Sequence, residues 1–344
     1  MEVGIVGLPL CGKSTLFKAL TENKVPVKDK EINMGAALVP DERVDALAAV
    51  FKSKKVVYAS INVVDMPGVD PKDRKSTSRF LEGARSVDAL VHVVRAFESD
   101  SVPHPMGRIN PKEDAEILDT ELIFADMEMA EKRLSAKKIP QEEKTLLEKA
   151  SEVLEQEQLL VYGDSLTEED KEQLKKMGFV TARPQMYVLN VQENTAETLI
   201  EDFTRFAQEK GRLSLVVNAE LESEISSLEP EEQEAFLKEY GIGQPAVVRL
   251  AKTLYDLLGL QSFLTAGEKE ARAWTVKKGA TAVEAAGVIH TDIARGFIRA
   301  EVVNWEDLVK AGGWKEAQQA GLVRLERKDY VIQEGDVVYF RFHV

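Results

Sequence analysis

The sequence predicts an α/β chain, and three observations predict it. Short apolar strands alternate with amphipathic helical stretches, the first strand runs straight into a glycine-bearing loop and a helix, and the last quarter changes to short β-rich segments with glycine at their turns. Residues 2–7, 61–65, 89–94, 185–190 and 213–217 read as the strands. Near-continuous apolar runs of this kind suit a doubly wound parallel sheet covered on both faces, which takes ligands at the carboxyl ends of its strands.

Between the third and fourth strands the chain makes an excursion too long for a crossover. Residues 117–134 are strongly helical, Pro140 breaks the pattern, and 142–158 resume it with charged residues around spaced leucines, which predicts a helical, coiled-coil-like hairpin. Thr167 with Asp170 resembles a helix start, and the chain re-enters the sheet near Pro184. The charges of this insertion suit either a projecting arm or the wet face of two packed helices. Helices at 230–240 and 246–258 follow, and from Gly259 the segments 272–276, 296–303 and 336–342 form a small α+β module. The expected organisation is a sheet domain over 1–116 and 180–258, a helical insertion over 117–179 and a C-terminal module over 259–344.

Composition narrows the function. At 344 residues, 44% hydrophobic and 30% charged, the chain can bury the cores of two or three domains. A single cysteine, Cys11, rules out an intramolecular disulfide framework and a multi-cysteine zinc site, so a metal would be held by oxygens. No basic leader precedes an apolar stretch and no run of about 18 apolar residues occurs, which predicts a cytoplasmic protein without a membrane partner. A net charge of −14 argues against general coating of DNA or RNA. Residues 259–344 carry 12 basic and 12 acidic side chains, so the whole negative excess lies in the body.

The first strand leads into Gly7-Leu8-Pro9-Leu10-Cys11-Gly12-Lys13-Ser14, a match to G-x-x-x-x-G-K-[ST], followed by the helical stretch beginning at Thr15. The backbone N–H groups of Leu10, Cys11, Gly12, Lys13, Ser14 and Thr15 can converge on a β-phosphate at a helix N-terminus. Lys13 can reach β- and γ-oxygens, and the Ser14 hydroxyl can ligate Mg²⁺. Some fifty residues on, Asp65-Met66-Pro67-Gly68 ends a strand where a P-loop hydrolase needs an acid to hold Mg²⁺ through water and a backbone N–H beside the γ-phosphate. Asp65 and Gly68 suit those roles. Asn190-Val191-Gln192-Glu193 follows another apolar strand, where GTPases place N-K-x-D to read the base. An aspartate there pairs with the guanine N1–H and exocyclic amine. The longer Glu193 need not present the same fork, so guanine selectivity relaxes and adenine becomes acceptable. Val217-Asn218-Ala219-Glu220 lies where the remaining base-side loop belongs.

On these residues the chain resembles the YchF/Obg-like ATPase family, the Obg-related branch of translation-factor P-loop NTPases. The likeness extends through GIVGLP, GKSTLFKAL, PDERVDALA, VDALVHVVRAFE, INPKEDAEILDTEL and NVQE. It is densest in the tail, FLTAGEKEARAWTVKKGATAVEAAGVIHTDIARGFIRAE and KDYVIQEGDVVYFRF. The resemblance implies a nucleotide-binding (G) domain with a helical insertion and a C-terminal TGS module of β-grasp form. It also implies ATP preferred over GTP and association with ribosomes or ribosomal RNA. Its phosphate loop falls on residues 10–15 and its adenine-contacting loop on Asn190 and Val191. An apolar residue, here Val69, stands where related GTPases carry a water-orienting glutamine. A histidine implicated in hydrolysis matches His104, which a surface-loop histidine without a role would match equally well.

Two departures mark this chain within the resemblance. No threonine occurs between Thr21 and Thr77 to serve as the first-switch Mg²⁺ ligand, and the best match is Asp29, whose carboxylate can ligate Mg²⁺ but opposes the γ-phosphate. The second switch, residues 69–79, lacks glycine and predicts stiffer switching. The expected activity is therefore a slow Mg²⁺-dependent ATP, or alternatively GTP, phosphohydrolase. A nucleotide-sensing binding protein with negligible hydrolysis is the competing expectation. Cys11 under the phosphates reads either as an acidified, oxidisable thiol or as a small loop filler, and His92 reads as a core histidine.

Overall fold

The computed structural model describes residues 1–28, 31–69 and 73–343. The chain divides into two compact units, one of residues 1–37 and 62–250, the other of residues 38–61 and 251–344. Twelve strands are assigned among the described residues. In chain order they are β1 Glu2–Val6, β2 Asn33–Val39, β3 Val56–Val57, β4 Ala59–Asp65, β5 Ala89–Arg95, β6 Gln185–Asn190, β7 Ser214–Val217, β8 Leu260–Ala266, β9 Ala271–Lys277, β10 Phe297–Asn304, β11 Arg324–Glu326 and β12 Asp336–Phe342.

The first sheet has the order β2-β4-β1-β5-β6-β7, and β4, β1, β5, β6 and β7 run parallel. Every residue of β5 and β6 is buried, the pattern of central parallel strands covered on both faces. Their ends, with those of β1, β4 and β7, bring the sequence motifs to one edge of the sheet, as a doubly wound fold requires. Sequence reading missed β2, an edge strand with alternating burial whose Asn33 and Gly35 dilute the strand signal.

The helical insertion grows out of this sheet. Its first helix, Pro111–Leu134, starts earlier than periodicity suggested, because Asn110 caps it through the Glu113 N–H and Pro111 occupies the first turn. Helix Gln141–Glu155 returns along it, and Glu168–Met177 opens with a capping box between Thr167 and Asp170. Leu147, Leu154, Leu160, Leu174 and Phe179 form an apolar core shared by these helices, which gives their charges the wet outer faces. Asp126, fully buried, accepts the N–H groups of Val180 and Thr181 at 3.1 and 2.7 Å and the Thr181 hydroxyl at 2.7 Å. That fixes where the chain re-enters the sheet.

In the second unit the sheet order is β11-β10-β12-β8-β9-β3. A β8–β9 hairpin leads to helix Ala282–Ile289, and β12 returns to the centre, parallel to β8 and antiparallel to β10, which is the β-grasp arrangement. Ala282, Ala285 and Ala286 let that helix sit close over Phe263, Val302 and Phe340. Residues 38–61, read from sequence as part of the sheet domain, group here through β3 on β9 and through Arg43, which pairs with Asp41 and Glu334. Trp274, Trp305 and Trp314 are all half-buried. Trp274 donates to Thr265 at 2.9 Å and Trp314 to the Ala266 carbonyl at 3.4 Å. No helix among the described residues is long and apolar enough to cross a membrane.

Candidate nucleotide site

At the carboxyl edge of the first sheet lies a cavity of about 410 Å³. Its floor is the loop after β1 and the first turn of helix Lys13–Leu20, contributed by Leu10, Gly12, Lys13, Ser14 and Thr15. Phe97, Glu98, Ser99, Ser101, Val102, Asn190 to Gln192, Asn218 and Glu220 form the walls. Only three of the five contributing strand ends supply those walls, yet the loop amides and helix N-terminus face the same space, the arrangement that favours an anion.

The loop is held open from several sides. Gly12 sits at φ +98°, where a Cβ would lie 2.1 Å from Asn190 Nδ2, so only glycine fits. Asn190, 5% exposed, donates Nδ2 to the Cys11 carbonyl and accepts the Ala219 N–H on Oδ1, both at 3.0 Å. It therefore clamps the phosphate loop to the loop after β7, where Asn218 caps helix Ala219–Ile225 through the Leu221 N–H. Val191 N–H donates to the Val217 carbonyl, and Thr195 accepts the Gln192 N–H while donating to Ala96, which fixes the base-side turn.

Lys13 is buried, with Nζ donating to the Leu8 carbonyl at 2.8 Å and 3.8 Å from Cys11 Sγ. Ser14 Oγ donates to Asp65 Oδ2 at 2.7 Å, bringing together two residues 51 apart in sequence. Asp65 is almost fully buried, and its second oxygen, Oδ1, has no hydrogen-bond partner among the described residues. Burial raises the carboxyl pKa above its ordinary value, while the Ser14 hydrogen bond, the Lys13 charge and the nearby Asn33 amide work against that rise. A hydroxyl and a carboxylate in contact, with one buried oxygen left over, suit Mg²⁺, which keeps several waters and takes few protein oxygens. No group of three or more His, Cys, Asp or Glu among the described residues could hold a metal by itself.

Gly68 completes this end of the site. A Cβ there would fall 2.9 Å from Pro9 Cα and 3.2 Å from Lys13 Nζ, so its backbone lies close against both the loop and the ammonium group. Val69 is buried, and its N–H donates to the Gly7 carbonyl at 3.2 Å.

The remaining sequence candidates fall elsewhere. Glu193 is exposed and does not line the cavity, whereas Glu220 does. His104 also lies outside the lining: its Nδ1 accepts the Met106 N–H at 3.1 Å, which leaves the proton on Nε2, 2.8 Å from Asp114 Oδ2. Arg108 holds the other oxygen of Asp114 at 2.9 Å. Cys11 is buried beneath the loop, and burial pushes its thiol pKa up despite Lys13, which removes the acidified-thiol reading. His92 is a core histidine, packed on Tyr187 and kept neutral by burial. Asp29 and residues 70–72 of the second switch lie outside the described residues. Two residues at the end of β5 escaped sequence reading, Arg95 and Phe97. Their signal was an arginine closing a buried strand and an aromatic two residues beyond it.

Comparison with known proteins gives one answer along the whole chain. A family model described as "50S ribosome-binding GTPase" matches residues 2–133. Another, named for the C-terminal domain of YchF GTPases and described as a protein of unknown function, matches residues 260–343. The "Ribosome-binding ATPase YchF" of Bacillus subtilis is 41% identical over 365 aligned positions, with all of both chains covered. The protein of the same name from Escherichia coli O157:H7 is 38% identical, covering all of this chain and 99% of the other. Among solved structures, the Schizosaccharomyces pombe YchF GTPase superposes with a TM-score of 0.84 at 27% identity, covering 99% of this chain and 97% of that one.

Proposed function

Since the chain belongs to the YchF family, we propose that it binds ATP in the cavity above residues 10–15, hydrolyses it slowly to ADP and phosphate, and couples nucleotide state to the ribosome in the cytoplasm. The observation that carries the reading is the contact of Ser14 with Asp65 beside a buried Lys13, at the mouth of a helix N-terminus. Ser14 and, through water, Asp65 would hold Mg²⁺, which when bound supplies charge neutralisation at the β- and γ-oxygens. The loop amides and the Lys13 ammonium stabilise charge spreading over the transferring phosphoryl group. Gly68 brings a backbone close to Lys13, where it would meet the γ-phosphate.

Among the described residues, neither Val69 nor His104 is placed to position water. Val69 is apolar, and His104 is committed to Asp114 and the Met106 N–H. Slow turnover without a partner follows, with backbone groups or the ribosome orienting the water. ATP is favoured because Glu193 stays out of the cavity, so no carboxylate presents the guanine-reading fork at that position.

Phosphate release from ATP and from GTP, with Lys13→Ala as the control, tests the enzyme reading. Turnover of ATP that Lys13→Ala abolishes is expected, and release unchanged by the substitution would overturn it. Preference for GTP in direct competition at equal Mg²⁺ would reverse the substrate assignment. Co-sedimentation with ribosomes should differ between ATP- and ADP-loaded protein.

A further inference from the structure

The chain buries an arginine against the phosphate loop and holds it by main-chain carbonyls, with the charge of Asp114 near enough to favour its own. Arg95, the last residue of β5, is 2% exposed and has no ion-pair partner among the described residues. Its three nitrogens instead meet three main-chain carbonyls: Nε donates to Phe97 at 3.0 Å, Nη1 to Leu10 at 3.1 Å and Nη2 to Val102 at 2.6 Å. The guanidinium also lies 4.1 Å from the centre of the Phe97 ring. Burying a cation in this way is costly, and an apolar side chain of similar volume would fill the space more cheaply. What the arginine supplies is direction, since its rigid fork fixes three peptide groups at once.

One of those peptides matters most. Leu10 adopts φ +61°, a left-handed conformation that disfavours a leucine. Its carbonyl is the one that Nη1 holds. In a planar trans peptide the Cys11 N–H points opposite to the Leu10 carbonyl. The next carbonyl, of Cys11, is held in turn by Asn190, so two successive peptides of the loop are each fixed from outside. Successive N–H groups oriented in this manner form an anion-binding concavity.

We propose that Arg95 is a positioning residue that aims the Cys11 N–H at the nucleotide phosphates and ties the phosphate loop to the opposite wall of the cavity, residues 97–102. The phosphate part of this rests on the proposed function; the orientation of the peptide does not.

The single cysteine makes the test direct, because ¹⁵N-cysteine labelling gives one amide resonance, that of Cys11. In Arg95→Met that resonance should move even without nucleotide, as the Leu10 carbonyl loses its donor. Calorimetry with ADP and Mg²⁺ should show affinity reduced about ten-fold or more, with Arg95→Lys, whose single nitrogen cannot match the three-pronged fork, in between. An arginine that only supported the fold would lower the melting temperature and leave ADP affinity of the folded protein unchanged. A folded Arg95→Met with an unmoved Cys11 resonance and ADP affinity within about two-fold of the unsubstituted chain would overturn the proposal. Should Arg95→Met not fold, Arg95→Lys decides by the same two readouts. If the unsubstituted chain took up no ADP, the proposed function would fall, while the nucleotide-free resonance would still decide whether Arg95 holds the peptide.

Discussion

Replacing Gly12 by alanine puts the geometry of the phosphate loop under a calculable load. At φ +98° an L side chain costs about 1–2 kcal/mol in backbone strain alone. The new Cβ would also stand 2.1 Å from Asn190 Nδ2, so that carboxamide has to leave. Leaving breaks its bonds to the Cys11 carbonyl and the Ala219 N–H, both at 3.0 Å, in a position almost without solvent to replace them. At about 1 kcal/mol per bond the losses reach roughly 3–4 kcal/mol in total. Urea unfolding followed by circular dichroism should register that decrease, and calorimetry should show affinity for ATP with Mg²⁺ falling by about 100-fold or more. Asn190→Ala alone should cost about 2 kcal/mol, and adding it to Gly12→Ala should cost less than the sum, because the clash is already relieved. A Gly12→Ala protein within about 0.5 kcal/mol of the parent that bound ATP normally would refute the reasoning.

Other expectations follow from the buried titratable groups. Burial raises the Asp65 pKa, so the ionised form weakens the fold above its folded-state pKa and that penalty vanishes once pH drops below the ordinary value near 3.9. Asp65→Asn should accordingly match or exceed the parent in stability at pH 7, lose that advantage in acid, and no longer respond to Mg²⁺ in the presence of ATP. His92, pushed down to about 4 by burial, stays neutral in the fold while the unfolded chain takes a proton below about 6.5. Stability should thus fall as pH drops through that window, by about 2 kcal/mol at pH 5, and His92→Phe should flatten the dependence in urea titrations at pH 7 and 5. Cys11, buried with a raised pKa, should react with iodoacetamide far more slowly than a free thiol until urea unfolds the chain.

The parallel strands were legible because strands covered on both faces must be apolar along their whole length, and β5 and β6 are. The phosphate loop was legible because its parts are contiguous: amides, ammonium and hydroxyl all come from residues 7–15. Legibility failed where partners are distant. Nothing local in residues 38–61 signals that Ser53 will bond to the Gly267 carbonyl, 214 positions away, or that β3 will extend the second sheet. Arg95 escaped for a similar reason, since it acts on carbonyls, which every sequence has at every position. His104 was carried by resemblance, and its ring proved to be engaged by Asp114, ten residues on. The start of helix Pro111–Leu134 was visible in Asn110-Pro111-Lys112-Glu113, a capping signal that periodicity alone passes over.

Helix Pro111–Leu134 touches three regions in turn. Near its start Asp114 takes the hydrogen bond from His104; midway Asp126 anchors residues 180 and 181; its end enters the core of the insertion. With 24 residues it is a rod about 36 Å long. A tilt of about 5° at the first turn would sweep the far end through about 3 Å, close to one step along a β-strand. Such a pivot is opposed midway by the Asp126 bonds, so a displacement passed along this helix would reach the insertion only together with a shift of residues 180 and 181, where the chain re-enters the sheet.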